Sequence, residues 1–358
     1  MLEEKRTILV TGGAGFVGRW IVKALCDQLP EFKVVVLDRQ RNNDWNAAIE
    51  LVQVDITDPA TVLSCFNTVK PMAVIHSAGS VPNVAKRYDK SRKAFECMYA
   101  VNVGGTKNVL EAARAVGVRY FIYTSSVTVL VDDLSVDHPN MTEDLPTGHA
   151  TLPYGRTKGI AEKMVLDANR DDFKTCALRP SVVFGPGDEN CIPTIHSCIA
   201  KGETPFVIGD PSKSLYDFTY VSNVADAHVL ALKNLTSTGT AAGRPFFITN
   251  GESISFRGFC LAIWREFGHV PKCELKIPLP LAWSAGLVAE ITTWITGGAS
   301  SISRGSVREL TMTAYSSIEN AKRILGYEPR VKLEEGIRLS CEDFARRIAT
   351  STKSEGKK

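Results

Sequence analysis

The chain has 358 residues, 44% hydrophobic and 23% charged, with 42 Lys and Arg against 39 Asp and Glu for a formal net charge of +3. That balance excludes long disorder, a collagen-like repeat and a many-pass membrane protein, and it gives no electrostatic footprint for nucleic acid. The nine cysteines are scattered, odd in number and without a Cys-x-x-Cys pair, which reads as reduced thiols rather than a disulfide framework.

Met1 to Arg6 is charged and runs straight into Ile8-Leu9-Val10, so neither a signal nor a transit peptide is expected. Thr7–Val10 reads as a strand and Phe16–Gln28 as a helix, with Thr11-Gly-Gly-Ala-Gly-Phe-Val-Gly18 between them. Gly12, Gly15 and Gly18 are three apart, and Gly13, Gly15 and Gly18 satisfy G-x-G-x-x-G. Glycine is needed where the chain turns sharply and where backbone must approach a pyrophosphate, and the helix amino end offers N–H groups to the phosphates. Asp38 closes the next strand, Lys33–Asp38, twenty positions after Gly18, where a ribose-binding carboxylate belongs. A carboxylate there accepts from both ribose hydroxyls of NAD and repels a 2′-phosphate. Arg39 can offset that repulsion, so NAD is favoured over NADP without excluding it.

Further strands are read at Leu51–Asp55, Ala73–His76, Tyr120–Thr124 and Thr175–Arg179, with helices at Ala94–Val116 and Pro153–Asn169. Alternation of this kind predicts an α/β fold: a Rossmann-type, doubly wound parallel sheet covered by helices on both faces. Asp55-Ile56 is a candidate adenine contact at the end of its strand. His76-Ser77-Ala78-Gly79 closes another strand near the cofactor, and His76 reads equally well as a structural histidine.

Tyr154-Gly-Arg-Thr-Lys158 follows Pro153, well placed at the first position of a helix. Residues four apart share a helix face, so Tyr154 and Lys158 can point into one cleft. A lysine charge about 5 Å from the phenol, at an effective dielectric of about 20, favours the phenolate by roughly 3 kcal/mol, or about two pKa units. Tyr154 is therefore expected to act as a general base. A serine of the Ser125-Ser126 pair, just after Thr124, can hydrogen-bond a substrate oxygen.

After Arg179 the rhythm breaks at Pro180, Gly185, Pro186 and Gly187. Helices at Val224–Leu235, Phe256–Phe267 and Leu333–Arg347 and a strand at Phe246–Thr249 suggest a smaller, interleaved substrate lobe over the carboxyl edge of the sheet. The expected division is a dinucleotide domain at 1–187, to which 216–250 returns, a substrate lobe at 188–348 and a flexible tail at 349–358. Cys191, His196 and Cys198 lie close together but in an apolar stretch with no second ligand pair, so no metal is placed. Pro278–Ile295 is apolar; as a helix it sets Trp283, Leu287, Ile291 and Trp294 on one face. It is too short and too interrupted by proline to span a bilayer comfortably, and it suits a sterol pocket, a membrane surface or the core side of a helix.

The stretches TGGAGFVG, VDITD, VIHSAG, VNVGGTKNVLEAA, YTSSV, YGRTK, LRPSVVFGPGD and DFTYVSNVADAH resemble the extended short-chain dehydrogenase/reductase family over nearly the whole chain. Within it, RP, FGPGD, DFTYV and FFITNGE look like the 3β-hydroxysteroid dehydrogenase branch, and most like its decarboxylating sterol-4α-carboxylate 3-dehydrogenases. The resemblance implies Ser126, Tyr154 and Lys158 as the catalytic residues. It implies dinucleotide contacts from Gly12, Gly13, Gly15, Phe16, Val17, Gly18, Asp38, Arg39, Asp55, Ile56, Ser77, Ala78, Asn102, Thr124, Tyr154, Lys158, Pro180 and Val183.

The implied activity is NAD-dependent oxidation of a 3-hydroxyl on a sterol or triterpenoid 4-carboxylate, with loss of carbon dioxide. Alternatives are a 3β-hydroxysteroid dehydrogenase without decarboxylation, a dihydroflavonol-type reductase, and a non-catalytic dinucleotide-sensing module. A homodimer is implied through the two long helices, and a location on the cytoplasmic face, soluble or peripheral on the endoplasmic reticulum membrane.

Overall fold

Ile8, Leu9 and Val10 in a row need cover on both sides of a sheet, and in the computed structural model all three are fully buried. The structure describes residues 6–40, 49–296 and 302–355. β1 (Thr7–Thr11) leads through α1 (Phe16–Gln28) to β2 (Lys33–Asp38) and β3 (Glu50–Gln53), then α2 (Pro59–Val69) and β4 (Ala73–His76). Next come α3 (Arg92–Tyr99), a π-helical turn at Ala100–Gly105, α4 (Thr106–Ala115), β5 (Tyr120–Thr124), the short α5 (Thr128–Val131), β6 (His138–Met141), α6 (Pro153–Asp167) and β7 (Lys174–Pro180). The later part contains β8 (Val182–Phe184), α7 (Cys191–Ala200), β9 (Phe206–Ile208), β10 (Phe218–Tyr220), α8 (Val221–Thr236) and β11 (Arg244–Ile248). It ends with α9 (Phe256–Glu266), β12 (Leu275–Ile277), α10 (Leu279–Thr296), α11 (Arg304–Thr311), β13 (Ala314–Ser316) and α12 (Leu333–Glu355).

Seven strands form one parallel sheet in the order β11-β7-β5-β4-β1-β2-β3, the doubly wound architecture that the alternation predicts. The order reverses between β1 and β4, and at such a switch point the carboxyl ends of the strands open a crevice. Side chains alternate across each strand, so the sheet feeds two cores. Ile8, Val10, Val36, Ile122 and Leu178 pack with Ile21 and Leu25 of α1 and Leu232 of α8. Leu9, Val35, Phe121 and Ala177 pack on the other face with Phe66, Val109 and Ala161. A third core, including Phe184, Phe218, Phe259, Trp264 and Ile337, holds the later elements together; the Phe218 and Phe259 rings stack with centroids 3.6 Å apart.

The chain does not stay in the later part once it arrives there. β10 pairs in parallel with β8, and β11 joins the edge of the main sheet beside β7. Several elements differ from the sequence reading. The strand expected at Leu51–Asp55 ends at Gln53, because Asp55 turns its carboxylate back onto the Thr57 amide at 2.9 Å. The helix α2 was not anticipated, although Asp58 caps it and Pro59 opens it. The helix expected over Ala94–Val116 widens into the π-helical turn, where a Cβ on Gly105 would lie 2.5 Å from Ile56 Cδ1. Such turns redirect side chains at functional sites, and this one carries Asn102 inward to full burial.

α12 continues to Glu355, through most of the stretch expected to be a tail, while 356–358 and Met1–Lys5 lie outside the described residues. α10 corrects the core-side reading of Pro278–Ile295. Among its described side chains only Ala282 and Gly286 are buried, and a Cβ on Gly286 would come within 2.7 Å of the Arg304 amide. Its large apolar side chains face out: Leu281, Val288 and Ile295 are 62%, 63% and 70% exposed. The side chain of Trp294 lies outside the described residues.

α6 is fastened to β7 by a buried pair, Arg179 Nε to Glu162 Oε2 at 2.8 Å and Nη2 to Oε1 at 2.6 Å. Removing one partner strands a charge in a dry core. Glu162→Ala is therefore expected to destabilise the fold by about 3–5 kcal/mol, whereas Glu162→Leu with Arg179→Met costs much less. Urea unfolding of the three proteins checks this; an additive double variant would overturn it.

Candidate active site

The glycine-rich turn joins β1 to α1 at the switch point. Gly12 has φ +70°, and a Cβ on it would lie 2.6 Å from the Ala78 backbone; one on Gly18 would lie 2.0 Å from the Gly12 carbonyl oxygen. Only glycine fits these two places. Gly15 caps α1 with no side-chain acceptor, which leaves the first-turn amides of Phe16, Val17 and Gly18 for an anion. Asp38 stands beside the turn, its Oδ2 accepting from the Ala14 amide and its Oδ1 from the Gln40 amide, each at 3.0 Å. This cradle, with a carboxylate at its side, fits a dinucleotide pyrophosphate and its ribose.

The other expected contacts divide by accessibility. Gly13 packs on Val36, where a Cβ would lie 2.7 Å from Cγ1. Ser77, Ala78 and Val183 are half-buried at the strand ends, and Pro180 is buried at the end of β7. Arg39 is exposed, and its carbonyl accepts from Gln53 Nε2 at 3.0 Å. Asp55 is exposed, and the Thr57 amide and hydroxyl hold its carboxyl below the usual range. Ile56 is buried against Gly105, so its side chain is used in packing. His76 spends both ring nitrogens inside the protein, on Thr11 Oγ1 at 2.6 Å and Thr106 Oγ1 at 2.9 Å. Burial, then the Lys158 charge, pushes it down to about 3, so it is a neutral structural histidine.

Asn102 bridges two elements. Its Oδ1 accepts from the Ser80 amide at 2.7 Å, and its Nδ2 donates to Ser80 O at 3.1 Å and Thr157 Oγ1 at 3.0 Å. The loop after β4 is thereby held against α6, the helix of Tyr154 and Lys158. Lys158 Nζ donates to the Thr124 carbonyl at 2.5 Å and lies 4.4 Å from the centroid of the Tyr123 ring. Thr124 Oγ1 is engaged with His228 Nε2 at 2.8 Å. Of the two serines, Ser126 acts on Tyr154, its hydroxyl favouring the phenolate, and accepts from the Thr128 amide at 3.2 Å, while Ser125 Oγ is buried without a partner. Ser126, Tyr154 and Lys158 are thus gathered at the carboxyl end of β5.

The electrostatics differ from the sequence estimate. Tyr154 is not lowered: burial pushes its phenol up to about 12, with Arg87 and the Ser126 hydrogen bond opposing and Asp132 adding to the rise. Lys158 is itself pushed down to about 7 by burial, with Glu162 partly restoring it. Lys158 is not among the groups that move the phenol. The cation that acts on the phenol is Arg87, which the sequence analysis missed together with Asp132. Neither belongs to a motif, and they are 45 residues apart in the chain.

Cys191, His196 and Cys198 lie on α7 in apolar surroundings. His196 packs edge-on against Phe267 and Phe344, with centroids 4.4 and 5.3 Å away.

The model of the 3-beta hydroxysteroid dehydrogenase/isomerase family matches residues 9–280. The decarboxylating sterol-4-alpha-carboxylate 3-dehydrogenase of Schizosaccharomyces pombe is 34% identical over 331 residues, covering 91% of this chain and 94% of its own. Its Mus musculus counterpart is 31% identical over 96% of this chain and 92% of its own. Among solved structures, the Thermus thermophilus UDP-glucose 4-epimerase complex with NAD superposes with a TM-score of 0.71 at 23% identity, over 95% of this chain and 99% of that one. That likeness is one of fold.

The depressed pKa of Lys158 has a consequence for stability. Its folded value is about 7 against 10.5 for the free side chain, so between those values the unfolded chain binds more protons. Stability must then rise with pH through that window, and the burial cost is fully felt below it. Lys158→Met removes the effect. The melting temperature of the wild type relative to this variant is expected to climb from pH 7 to pH 10; a flat difference would contradict a buried, easily deprotonated lysine.

Proposed function

The chain belongs to the 3-beta hydroxysteroid dehydrogenase/isomerase family and is an oxidoreductase of the short-chain dehydrogenase/reductase class, and from that premise we propose that it oxidises the 3-hydroxyl of a sterol or triterpenoid 4-carboxylate with NAD, releasing the carboxylate as carbon dioxide. The observation that carries the reading is the docking of α6, with Tyr154 one helical turn before Lys158, onto the carboxyl end of β5 just before Ser126, by Lys158 on the Thr124 carbonyl and the Gly155 amide on Asp132.

Ser126 holds the substrate oxygen and Tyr154 takes the hydroxyl proton. Lys158, fixed on the Thr124 carbonyl, is placed to bind the cofactor ribose and to supply charge when protonated. The oxidised nicotinamide, when bound, provides the hydride acceptor and a positive charge that favours the phenolate. The resulting 3-ketone lies β to the carboxylate. The C4–carboxylate bond then breaks, its electron pair enters the enolate of the ketone, and C4 is reprotonated. NAD is preferred because the Asp38 carboxylate, at the ribose position, repels a 2′-phosphate. The sterol part of the proposal rests on the names of the relatives from Schizosaccharomyces pombe and Mus musculus.

No helix among the described residues is long and apolar enough to cross a membrane. The outward apolar side of α10 supports attachment to a membrane surface such as that of the endoplasmic reticulum, where a sterol would be met. Exposed Tyr99 and Ile160, on α3 and α6, support a homodimer through those helices.

Incubation with NAD and matched sterols that have or lack the 4-carboxylate tests the reaction. Carbon dioxide released in step with NADH is expected; equal turnover of the alcohol lacking the carboxylate would favour a plain hydroxysteroid dehydrogenase. Tyr154→Phe should bind NADH as the wild type does while turnover falls about 10²–10⁴-fold. Liposome flotation checks the surface: the wild type is expected to float with vesicles and the Leu281→Glu, Ile295→Glu double variant to remain below. Equal flotation of both would remove α10 from that role.

A further inference from the structure

α6 begins without a side-chain cap, since Leu152 occupies the N-cap position. The Gly155 amide in its first turn donates instead to Asp132 Oδ2 at 2.8 Å. The Asp132 carbonyl also accepts from Thr151, from its amide at 2.8 Å and its hydroxyl at 3.0 Å. The approach is close enough that a Cβ on Gly155 would lie 2.2 Å from the Thr128 carbonyl oxygen and 2.6 Å from Asp132 Oδ2. Asp132 ends the short α5 segment that Ser126 begins, and Ser126 Oγ accepts from the Thr128 amide at 3.2 Å. One seven-residue stretch therefore holds Ser126 at its start and the helix of Tyr154 at its end.

Arg87, from the loop after β4, closes this arrangement. Its Nη1 donates to Asp132 Oδ2 at 3.0 Å and its Nη2 to Oδ1 at 2.5 Å, and the Asp132 side chain is wholly buried. Arg87 Nη2 also reaches Glu309 Oε1 on α11 at 3.4 Å, and the Tyr88 hydroxyl donates to the other oxygen of Glu309. With two carboxylates already on the guanidinium, it is a structural counter-ion and not a vacant anion site.

We propose that Asp132, paired with Arg87, is a positioning residue for Tyr154: it pins the first turn of α6 against the Ser126 segment and holds the Arg87 guanidinium at that turn. This rests on the reading of Tyr154 as the proton acceptor. The groups that act on the phenol are Arg87, Asp132 and Ser126, and the phenol in turn acts on Tyr123 of β5; Glu309 touches Arg87. Asp132 raises the phenol and Arg87 lowers it, so removing either charge moves the phenol in a predictable direction.

The test is the pH profile of kcat for NAD-dependent oxidation of the 4-carboxy sterol, with NADH affinity and thermal melting measured alongside. Asp132→Asn is expected to shift the acid limb to lower pH and Arg87→Met to shift it to higher pH, each by about 0.5–1 unit. Both should lower kcat about 10–100-fold with NADH affinity retained, and Arg87→Lys should return the limb toward the wild-type position. Hydrogen exchange in the 151–157 segment should quicken in Asp132→Ala. If the Asp132 variants do not fold, the Arg87→Met and Arg87→Lys pair decides. Limbs that stay put, or move the same way in both variants while Tyr154→Phe is inactive, would overturn the proposal and leave the reaction assignment intact. An active Tyr154→Phe would overturn that assignment first.

Discussion

Burying Lys158 at the end of β5 is the constraint on which the surrounding structure depends. An ammonium in a dry site is unfavourable unless something polar meets it, and here it meets the Thr124 carbonyl and the face of Tyr123. Both partners belong to β5, so the lysine is satisfied only if α6 lies close along the carboxyl end of that strand. Glu162, one turn further, raises Lys158 while spending its oxygens on Arg179 of β7. One helix is thus fastened to two neighbouring strands by charges that cannot be left unpaired, and Tyr154 has little freedom as a result.

The same dryness accounts for the acidity of the phenol. In an open cleft a lysine one turn away would lower it, as the sequence estimate supposed. In this site desolvation acts on both groups, raising the acid and lowering the base. The geometry is then assembled ahead of the charge. A cation arriving in the cleft favours the phenolate far more there than it would in water.

Much of this was legible in the sequence because its signals are local. The glycine turn, Asp38 at the end of the next strand and the Tyr-x-x-x-Lys spacing each need only the geometry of one loop or one helix. The doubly wound parallel sheet followed from the alternation of elements. What could not be read was carried by long-range pairing. Arg87 gives no signal until the loop after β4 meets the end of α5, and Glu309 none until α11 meets Tyr88. The π-helical turn is likewise invisible locally: it arises because Gly105 must admit Ile56 while Asn102 reaches Ser80 and Thr157. The place of α10 stayed open among three readings for a related reason. Its pattern is apolar on nearly every side, and only tertiary context shows that the small residues Ala282 and Gly286 form its inner face.

The fold by itself leaves the substrate open, since the sheet also matches an epimerase that was solved with NAD. What narrows the reading lies in the later lobe. A nucleotide sugar asks for cations around its diphosphate. Here three arginines are already committed: Arg87 to Asp132 and Glu309, Arg304 to Glu290, and Arg308 to Asp137. Beside these pairs α10 turns Leu281, Trp283, Val288 and Ile291 outward. A lobe whose charges neutralise one another and whose unspent surface is hydrocarbon favours a large apolar ligand over a multiply charged one.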